Sequence, residues 1–195
     1  DAFLIASDLP GITTIRSGAP NYPAVAALKA LATEVRTILG PGTRISYAAH
    51  GAEWCGHRPA DGSNDVHFHL DPLWSDPDID FVGIQCDWPL SDWRVGFNHL
   101  DAQQGWAGPH DSAYLHSNIA SGEGFDWVYA SEADRLAQLR TPITDPAYGK
   151  SWVFCSKDIR SWWDNPHHDR PNGAERTTPT AWVPQSKPLV FTAIG

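Results

Sequence analysis

Three acidic residues follow apolar runs that are typical of β-strands, and their side chains could carry acid–base chemistry. Asp8 comes directly after the first run, Glu53 lies in the loop after the second, and Asp87 follows the third. A glycosidase needs two carboxyl groups across the scissile bond, one as proton donor and one as nucleophile or base. Asp8 and Asp87 could converge over one end of a sheet. Aspartates after strands also serve as helix caps and turn residues, so a structural interpretation stays open.

Tryptophan is the second signal, because the chain contains ten of them and a core needs only a few. The candidates near predicted strand ends are Trp54, Trp88, Trp93 and Trp182. Flat aromatic rings stack on the apolar faces of sugars, while neighbouring polar groups such as Glu53 and Asp87 bond to hydroxyls. These residues predict a carbohydrate-binding groove. The alternative is that the tryptophans pack long loops against each other.

Metal and cofactor chemistry are not indicated. His67 and His69 would share one face of a strand, and residues 167–169 (HHD) could present ligands from a loop, yet neither group has a known ligand spacing. The three cysteines form no CxxC pair, and GxGxxG, P-loop and GxSxG motifs are absent. We therefore expect no metal and no cofactor.

The elements that would position these residues alternate between strand and helix. Strands are predicted at residues 2–7, 44–49 and 80–85 and over the last apolar run, 189–191, which residues 192–195 follow. Apolar residues at helical spacing follow Pro23, and the pattern stops at the Gly40-Pro41-Gly42 turn. Strand, helix, strand predicts a βαβ unit with parallel strands, and the remaining segments predict elaborate loops after each strand. The fold class is therefore α/β with a parallel sheet.

The net charge of the sequence and the position of its predicted strands indicate which partners to expect. The net charge of −9, with Lys and Arg scattered, disfavours binding to nucleic acid or anionic lipid. No apolar segment approaches the length of a membrane span. The sequence starts and stops beside predicted strands, whose edges need partners, and this led us to expect a piece of a longer polypeptide.

Several strings in this sequence carry a family resemblance. They are residues 47–49 (YAA), 68–74 (FHLDPLW), 89–94 (PLSDWR), 122–127 (GEGFDW), 140–145 (RTPITD), 162–167 (WWDNPH) and 179–188 (PTAWVPQSKP). Together they resemble, nearly end to end, the TIM-barrel-like domain of the tail-tip hub protein of gene transfer agents and related tailed phages. The resemblance implies a glycoside-hydrolase-like (β/α)8 barrel, of which residues 1–195 would cover about strands four to seven, with long βα loops. The remaining strands are expected in flanking chain.

The resemblance also implies where catalytic residues would lie. Similar retaining glycosidases place an acid/base Glu after strand four and a nucleophilic Glu after strand seven, which map here to Asp8 and Ala193. The family's Ser-Glu is Ser7-Asp8 in this chain, one methylene shorter, and its Phe-Thr-Glu is Phe191-Thr192-Ala193. Alanine cannot attack an anomeric carbon. Departures also occur in the loops after the second and third strands, at residues 50–51 (HG) and 85–88 (QCDW).

The resulting expectation is a structural domain at the virion tail tip that binds host envelope glycan through its aromatic groove. Its partners would be other tail-tip and baseplate proteins, in a homo-oligomer set by tail symmetry. Two alternatives stay open. One is an active glycosidase on peptidoglycan or surface polysaccharide, with Asp8 as acid and Asp87 or Glu53 as its partner. The other is a purely architectural module.

Overall fold

The computed structural model describes residues 1–18 and 20–194. The strands are β1 (Ala2–Ser7), β2 (Arg44–Ala49), β3 (Val82–Cys86), β4 (Trp127–Val128), β5 (Thr141–Pro142) and β6 (Leu189–Ile194). The helices are α1 (Pro10–Thr13), α2 (Pro23–Leu39), α3 (Asp71–Trp74), α4 (Leu100–Gln103), α5 (Ser112–Ser117), α6 (Glu132–Ala137) and α7 (Ile159–Asp164). Short 3-10 turns span Asn118–Ala120, Ser151–Phe154 and Pro171–Gly173. None of the helices in the described ranges is both long and apolar enough to cross a bilayer.

The central feature is a four-stranded parallel sheet in the order β1-β2-β3-β6. This confirms the predicted α/β class, and the parallel strands are consistent with part of a TIM-barrel-like fold. β2 and β3 are central and mostly buried, whereas the edge strands β1 and β6 are largely exposed. Within the described ranges the four strands do not close into a barrel.

Helix α2 forms as its sequence pattern predicts. Pro23 occupies the first turn, where its missing N–H costs nothing, and Gly40 ends the helix with a positive φ of 71°. Val25, Leu28 and Ala32 are buried at helical spacing, so one apolar stripe of α2 faces the protein interior. The helix therefore covers the sheet between β1 and β2, as a crossover helix in a βαβ unit does.

Two compact units divide the chain. Unit 1 contains residues 1–87 and 162–195, and hence the parallel sheet with α2 and α3. Unit 2 contains residues 88–161, the long excursion after β3, with α4 to α6 and the small antiparallel β4–β5 sheet. Helix α6 ends at Ala137, because Gln138 adopts a left-handed φ of 50°.

An aromatic cluster forms part of the interior of unit 1. Trp54, Trp162 and Trp182 are each at most 2% exposed, and the Trp162 ring lies 4.8 Å from Trp54 and 4.7 Å from Trp182. His167 stacks on Trp182 with an interplanar angle of 7°. Its Nδ1 lies 2.9 Å from Asp71, and its Nε2 lies 2.8 Å from the Trp162 carbonyl oxygen. These contacts tie residues 162–182 to the segment around α3.

Candidate functional site

Asp8 lies at the carboxyl end of β1, where chemistry is found in TIM-barrel-type folds. Its side chain is exposed, and its backbone adopts a left-handed φ of 55°, which is uncommon for a non-glycine residue. The Asp8 N–H donates to the Ala48 carbonyl at 2.9 Å, so this unusual conformation is anchored to β2. The arrangement turns the chain sharply after the strand and leaves the Asp8 carboxylate accessible.

Ala193 lies in β6 directly after an irregularity in the pairing with β3, because Thr192 is an extra residue between the pairs Ile84–Phe191 and Gln85–Ala193. It pairs in register with Gln85 of β3 and is exposed. The strand therefore presents this position at the carboxyl end of the sheet, where the family resemblance puts the nucleophile. Its methyl group can neither donate a proton nor attack a carbon atom.

Glu53, in contrast, is a buried structural carboxylate. It is 1% exposed, and its oxygens accept hydrogen bonds from the hydroxyl of Thr13, the hydroxyl of Tyr47 at 3.0 Å and the His50 N–H at 3.1 Å. Burial raises the pKa of the Glu53 carboxyl, while the hydrogen bonds partly oppose that shift. The Tyr47 hydroxyl in turn accepts from the Leu9 N–H at 2.9 Å. Glu53 thereby connects the loops after β1 and β2.

Asp87 follows β3 and is exposed, like Asp8. The two carboxylates therefore follow strands that flank β2, and both lie at the carboxyl end of the parallel sheet. Strands in a sheet are about 4.8 Å apart, so the chain positions after β1 and β3 are separated by roughly 10 Å. Among the residues named from the sequence, this is the pair of exposed carboxylates that unit 1 brings to one edge.

The four tryptophans predicted to form an aromatic groove differ in their solvent exposure. Trp54 and Trp182 belong to the interior cluster of unit 1, and in this structure their rings do not face solvent. Trp88 and Trp93 are half-buried and lie in unit 2. Trp93 meets His99 edge-on at 4.4 Å and Phe97 at 5.8 Å. A stacking role stays a prediction for Trp88 and Trp93, whereas Trp54 and Trp182 pack the core as the alternative interpretation proposed.

Unit 2 contains a cavity of about 300 Å³ that the sequence reasoning did not identify. Its lining includes three aromatic residues, Trp106, Tyr114 and Trp127, with Trp106 and Trp127 half-buried. The acidic lining residues are Asp92, Asp101, Glu123 and Asp126, and the polar ones include Gln104, Ser117, Asn118 and Ser121. Two tryptophans in a concave, polar site have the character of a ligand pocket.

Arg140 organises one wall of this cavity. Its guanidinium donates to Asp92 at 2.7 Å and to Asp101 at 2.8 Å, and it stacks over the Trp127 ring at 4.3 Å. Asp101 also accepts from the Tyr114 hydroxyl at 2.9 Å. Burial alone would raise the pKa of Asp92, but the hydrogen bonds it accepts hold that pKa below its usual value. Asp92 is therefore ionised and already partnered, so it is unsuited to donate a proton.

A second cavity, of about 360 Å³, lies in unit 1 beside the start of α2. Tyr22, His67, His69 and Asp169 line it. His69 is 3% exposed, and burial lowers its pKa to about 3, so its imidazole is neutral. His67 differs, because Asp169 and Asp65 raise its pKa. Across residues 1–18 and 20–194, no three His, Cys, Asp or Glu side chains are grouped as metal ligands would be.

The parallel strands, the helix packed across them and the exposed residues at the strand ends define an α/β domain of the TIM-barrel-like class. The sequence model of the GTA TIM-barrel-like domain matches residues 1–195, and the chain belongs to this family of gene transfer agent domains. Membership confirms the family resemblance and indicates a virion-associated structural domain. No curated protein matches the chain.

Proposed function

We propose that this chain is part of the tail-tip hub protein of a gene transfer agent or related tailed phage, where its barrel serves as a scaffold that binds host envelope glycan. The remaining barrel strands lie in flanking chain and pair with the exposed edges of β1 and β6. Its partners are other tail-tip and baseplate proteins, arranged with the symmetry of the tail. Family membership supports the virion setting.

The observation that carries the proposal is that an alanine, Ala193, stands at the nucleophile position of a strand that still pairs with β3. β6 pairs in parallel with β3 up to Ile194, with one register shift between Phe191 and Ala193, so the strand reaches the nucleophile position while the reactive group is missing. Glu53 does not replace it, because its carboxyl is buried and bonded to Thr13, Tyr47 and His50. A fold that keeps its backbone and lacks its nucleophile fits binding better than hydrolysis.

Glycan binding is supported by the aromatic residues that remain partly exposed. Trp88 and Trp93 were predicted from the sequence, and Trp106 and Trp127 line the unit 2 cavity. A half-buried tryptophan packs one part of its indole ring against the protein and leaves the other part accessible to solvent. The accessible part can stack on a sugar ring. The acidic net charge of −9 agrees with recognition through such rings rather than through basic groups.

One specific observation favours a second candidate, an inverting glycosidase. Asp8 and Asp87 are both exposed at the carboxyl end of the sheet, on strands separated by β2. The roughly 10 Å between these chain positions is near the separation of about 6.5–9.5 Å between the two carboxyl groups of inverting enzymes. Asp8 would be the acid, and Asp87 would activate water.

Two measurements on one set of proteins separate these functions. The wild type, Asp8→Asn, Asp87→Asn and the control Glu34→Gln, an exposed residue on α2, are mixed with host envelope preparations. We expect all four to co-sediment with the envelope polysaccharide and none to release reducing sugar. Release by the wild type and Glu34→Gln that is lost in both aspartate variants would establish the hydrolase and overturn our proposal. Absence of both binding and release would leave the architectural role.

A further inference from the structure

The cavity in unit 2 has the composition of a sugar site, although its residues lie outside the strand ends. Trp106 and Trp127 are half-buried and line it, which provides aromatic surface at a concave site. Its volume of about 300 Å³ is at the lower end of the range for ligand pockets, so a single sugar ring or a disaccharide is the size it accepts.

The wall of the cavity is held together by contacts between its own residues. Asp92 and Asp101 are bridged by Arg140, and Tyr114 holds the same wall because its hydroxyl donates to Asp101 at 2.9 Å and accepts from the Asp92 N–H at 2.8 Å. Arg140 also packs over Trp127, which fixes that indole ring against the wall. A preformed wall reduces the conformational entropy that a ligand must remove when it binds.

Hydrogen-bonding groups remain at the more exposed part of the cavity. Asp126 is exposed, and one of its carboxylate oxygens accepts from the Gly122 N–H at 2.7 Å, which orients the side chain. Gln104 and Ser117 are exposed lining residues. Carboxylate, amide and hydroxyl groups beside an aromatic ring are the combination that fixes the orientation of a sugar.

The charge of the lining indicates which sugars fit. Asp92, Asp101, Glu123 and Asp126 are acidic, and Arg140 is the one basic residue among the lining residues described. Asp92 pairs with both Arg140 and Arg94, Asp101 pairs with Arg140, and Glu123 pairs with Arg135. Asp126 has no such cation within the described ion pairs, so the site is acidic and repels carboxylate or phosphate groups.

We infer that the unit 2 cavity is a non-catalytic binding site for a neutral or amine-bearing sugar, which stacks on Trp106 and Trp127 and bonds to Asp126. The inference rests on the glycan binding proposed above and gives it a location and a ligand class. Neither Asp8 nor Asp87 is among the lining residues, so binding at this site can be tested separately from any chemistry at those two aspartates.

The test uses the full 195-residue chain and calorimetric titration with three short oligosaccharides. The probes are an N-acetylglucosamine oligomer, which is neutral, a glucosamine oligomer, which carries amines, and a galacturonic acid oligomer, which is anionic. We expect binding of the first two and at least tenfold weaker binding of the third, because the acidic lining repels its carboxylates.

Variants then locate the site. Trp106→Ala should weaken binding of both accepted probes about tenfold or more, as loss of a stacking ring does. Trp152→Ala is the matched control, because Trp152 is also half-buried in unit 2 but does not line the cavity. Asp126→Asn keeps an acceptor for the Gly122 N–H and removes the charge, so it should reduce the preference for the glucosamine oligomer. Circular dichroism melting of each variant checks that unit 2 still folds.

The outcomes distinguish this inference from the proposed function. Binding that is retained at full strength in Trp106→Ala would overturn the cavity site and leave glycan binding in place. Binding to host envelope polysaccharide without binding to any probe would also overturn the sugar class inferred here. A chain that binds neither the probes nor the envelope polysaccharide would overturn the proposed glycan function itself. Preference for the galacturonic acid oligomer over the other two probes would contradict the charge argument.

Discussion

Burial separates the roles of Asp8 and Glu53, two carboxylates that follow neighbouring strands. Asp8 is exposed after β1, whereas Glu53 is 1% exposed and receives hydrogen bonds from Thr13, Tyr47 and His50. A carboxylate with several buried donors stabilises the loops that supply them, because loss of the acceptor would leave each donor unsatisfied. The same functional group therefore stabilises the loops after β2 and faces solvent after β1.

The histidines beside the unit 1 cavity make stability depend on pH. Burial lowers the pKa of His69 to about 3, below the value of about 6.5 expected in the unfolded chain. Between these two values the unfolded chain binds a proton that folded His69 does not, so stability falls as the pH falls below 6.5. The lowered pKa of His57 acts in the same direction, and the raised pKa of His67, which faces Asp169 and Asp65, acts in the opposite one.

We predict that His69→Gln removes part of this acid sensitivity. Between pH 7 and pH 5 the wild type should lose about 2 kcal/mol more free energy of unfolding than the variant, at about 1.4 kcal/mol per pH unit below 6.5. Urea unfolding at the two pH values measures this difference. His110→Gln, at an exposed loop position, is the control and should follow the wild type. Equal losses in the wild type and His69→Gln would contradict a neutral buried imidazole.

At the scale of elements, the secondary structure that could be predicted was the part with a clear hydrophobic periodicity in the sequence. The four parallel strands and α2 were predicted because apolar runs and a 3.6-residue repeat are long enough to read. The β4–β5 pair was not predicted, because strands of two residues have no period. Trp106 and Trp127 were missed for a related reason: candidates were chosen beside strand ends, whereas the unit 2 cavity is assembled by contacts such as Arg140 with Asp92, 48 residues apart.

The centre of the sheet offers a sharp test of strand packing at Gly83 in β3. A β-carbon added there would overlap the Tyr47 carbonyl oxygen of β2 and lie 3.2 Å from the Thr192 methyl group of β6. We predict that Gly83→Ala lowers the free energy of unfolding by about 1–3 kcal/mol, because the neighbouring strands must move apart.

Gly42→Ala is the matched control for Gly83→Ala. No atom lies within 4 Å of a β-carbon added at Gly42. This substitution should leave stability unchanged or raise it by up to about 1 kcal/mol through the unfolded chain. Chemical denaturation of both variants provides the comparison, and equal effects of the two would show that the sheet tolerates a side chain at its centre.

At the scale of the whole molecule, the parallel sheet presents apolar residues on both of its edge strands. Phe3 and Leu4 of β1 are 44% and 39% exposed, and Phe191 and Ile194 of β6 are 45% and 77% exposed. Exposed apolar edges are templates for pairing with further strands. In the proposed function, flanking strands of the same polypeptide occupy them and complete the barrel.

We predict that the 195-residue chain produced alone self-associates through these edges. Ile194→Lys should raise the protein concentration needed for association about tenfold, since a charged side chain on an edge strand opposes pairing. Leu136→Lys is the matched control, because Leu136 on α6 is 76% exposed, compared with 77% for Ile194. Sedimentation velocity over a concentration series measures the effect. Association that responds to Leu136→Lys but not to Ile194→Lys would assign it to unit 2.

The buried ammonium group of Lys157 joins loop segments of unit 2 through their carbonyl oxygens. Its side chain is buried, and its ammonium donates to the carbonyl oxygens of Pro89 at 3.1 Å, Asn118 at 2.6 Å and Ser121 at 2.9 Å. Converging carbonyl oxygens are the ligands with which many proteins hold a structural calcium ion. Here the positive charge is covalently part of the chain, so these loops stay joined in the presence of chelators and when calcium is scarce.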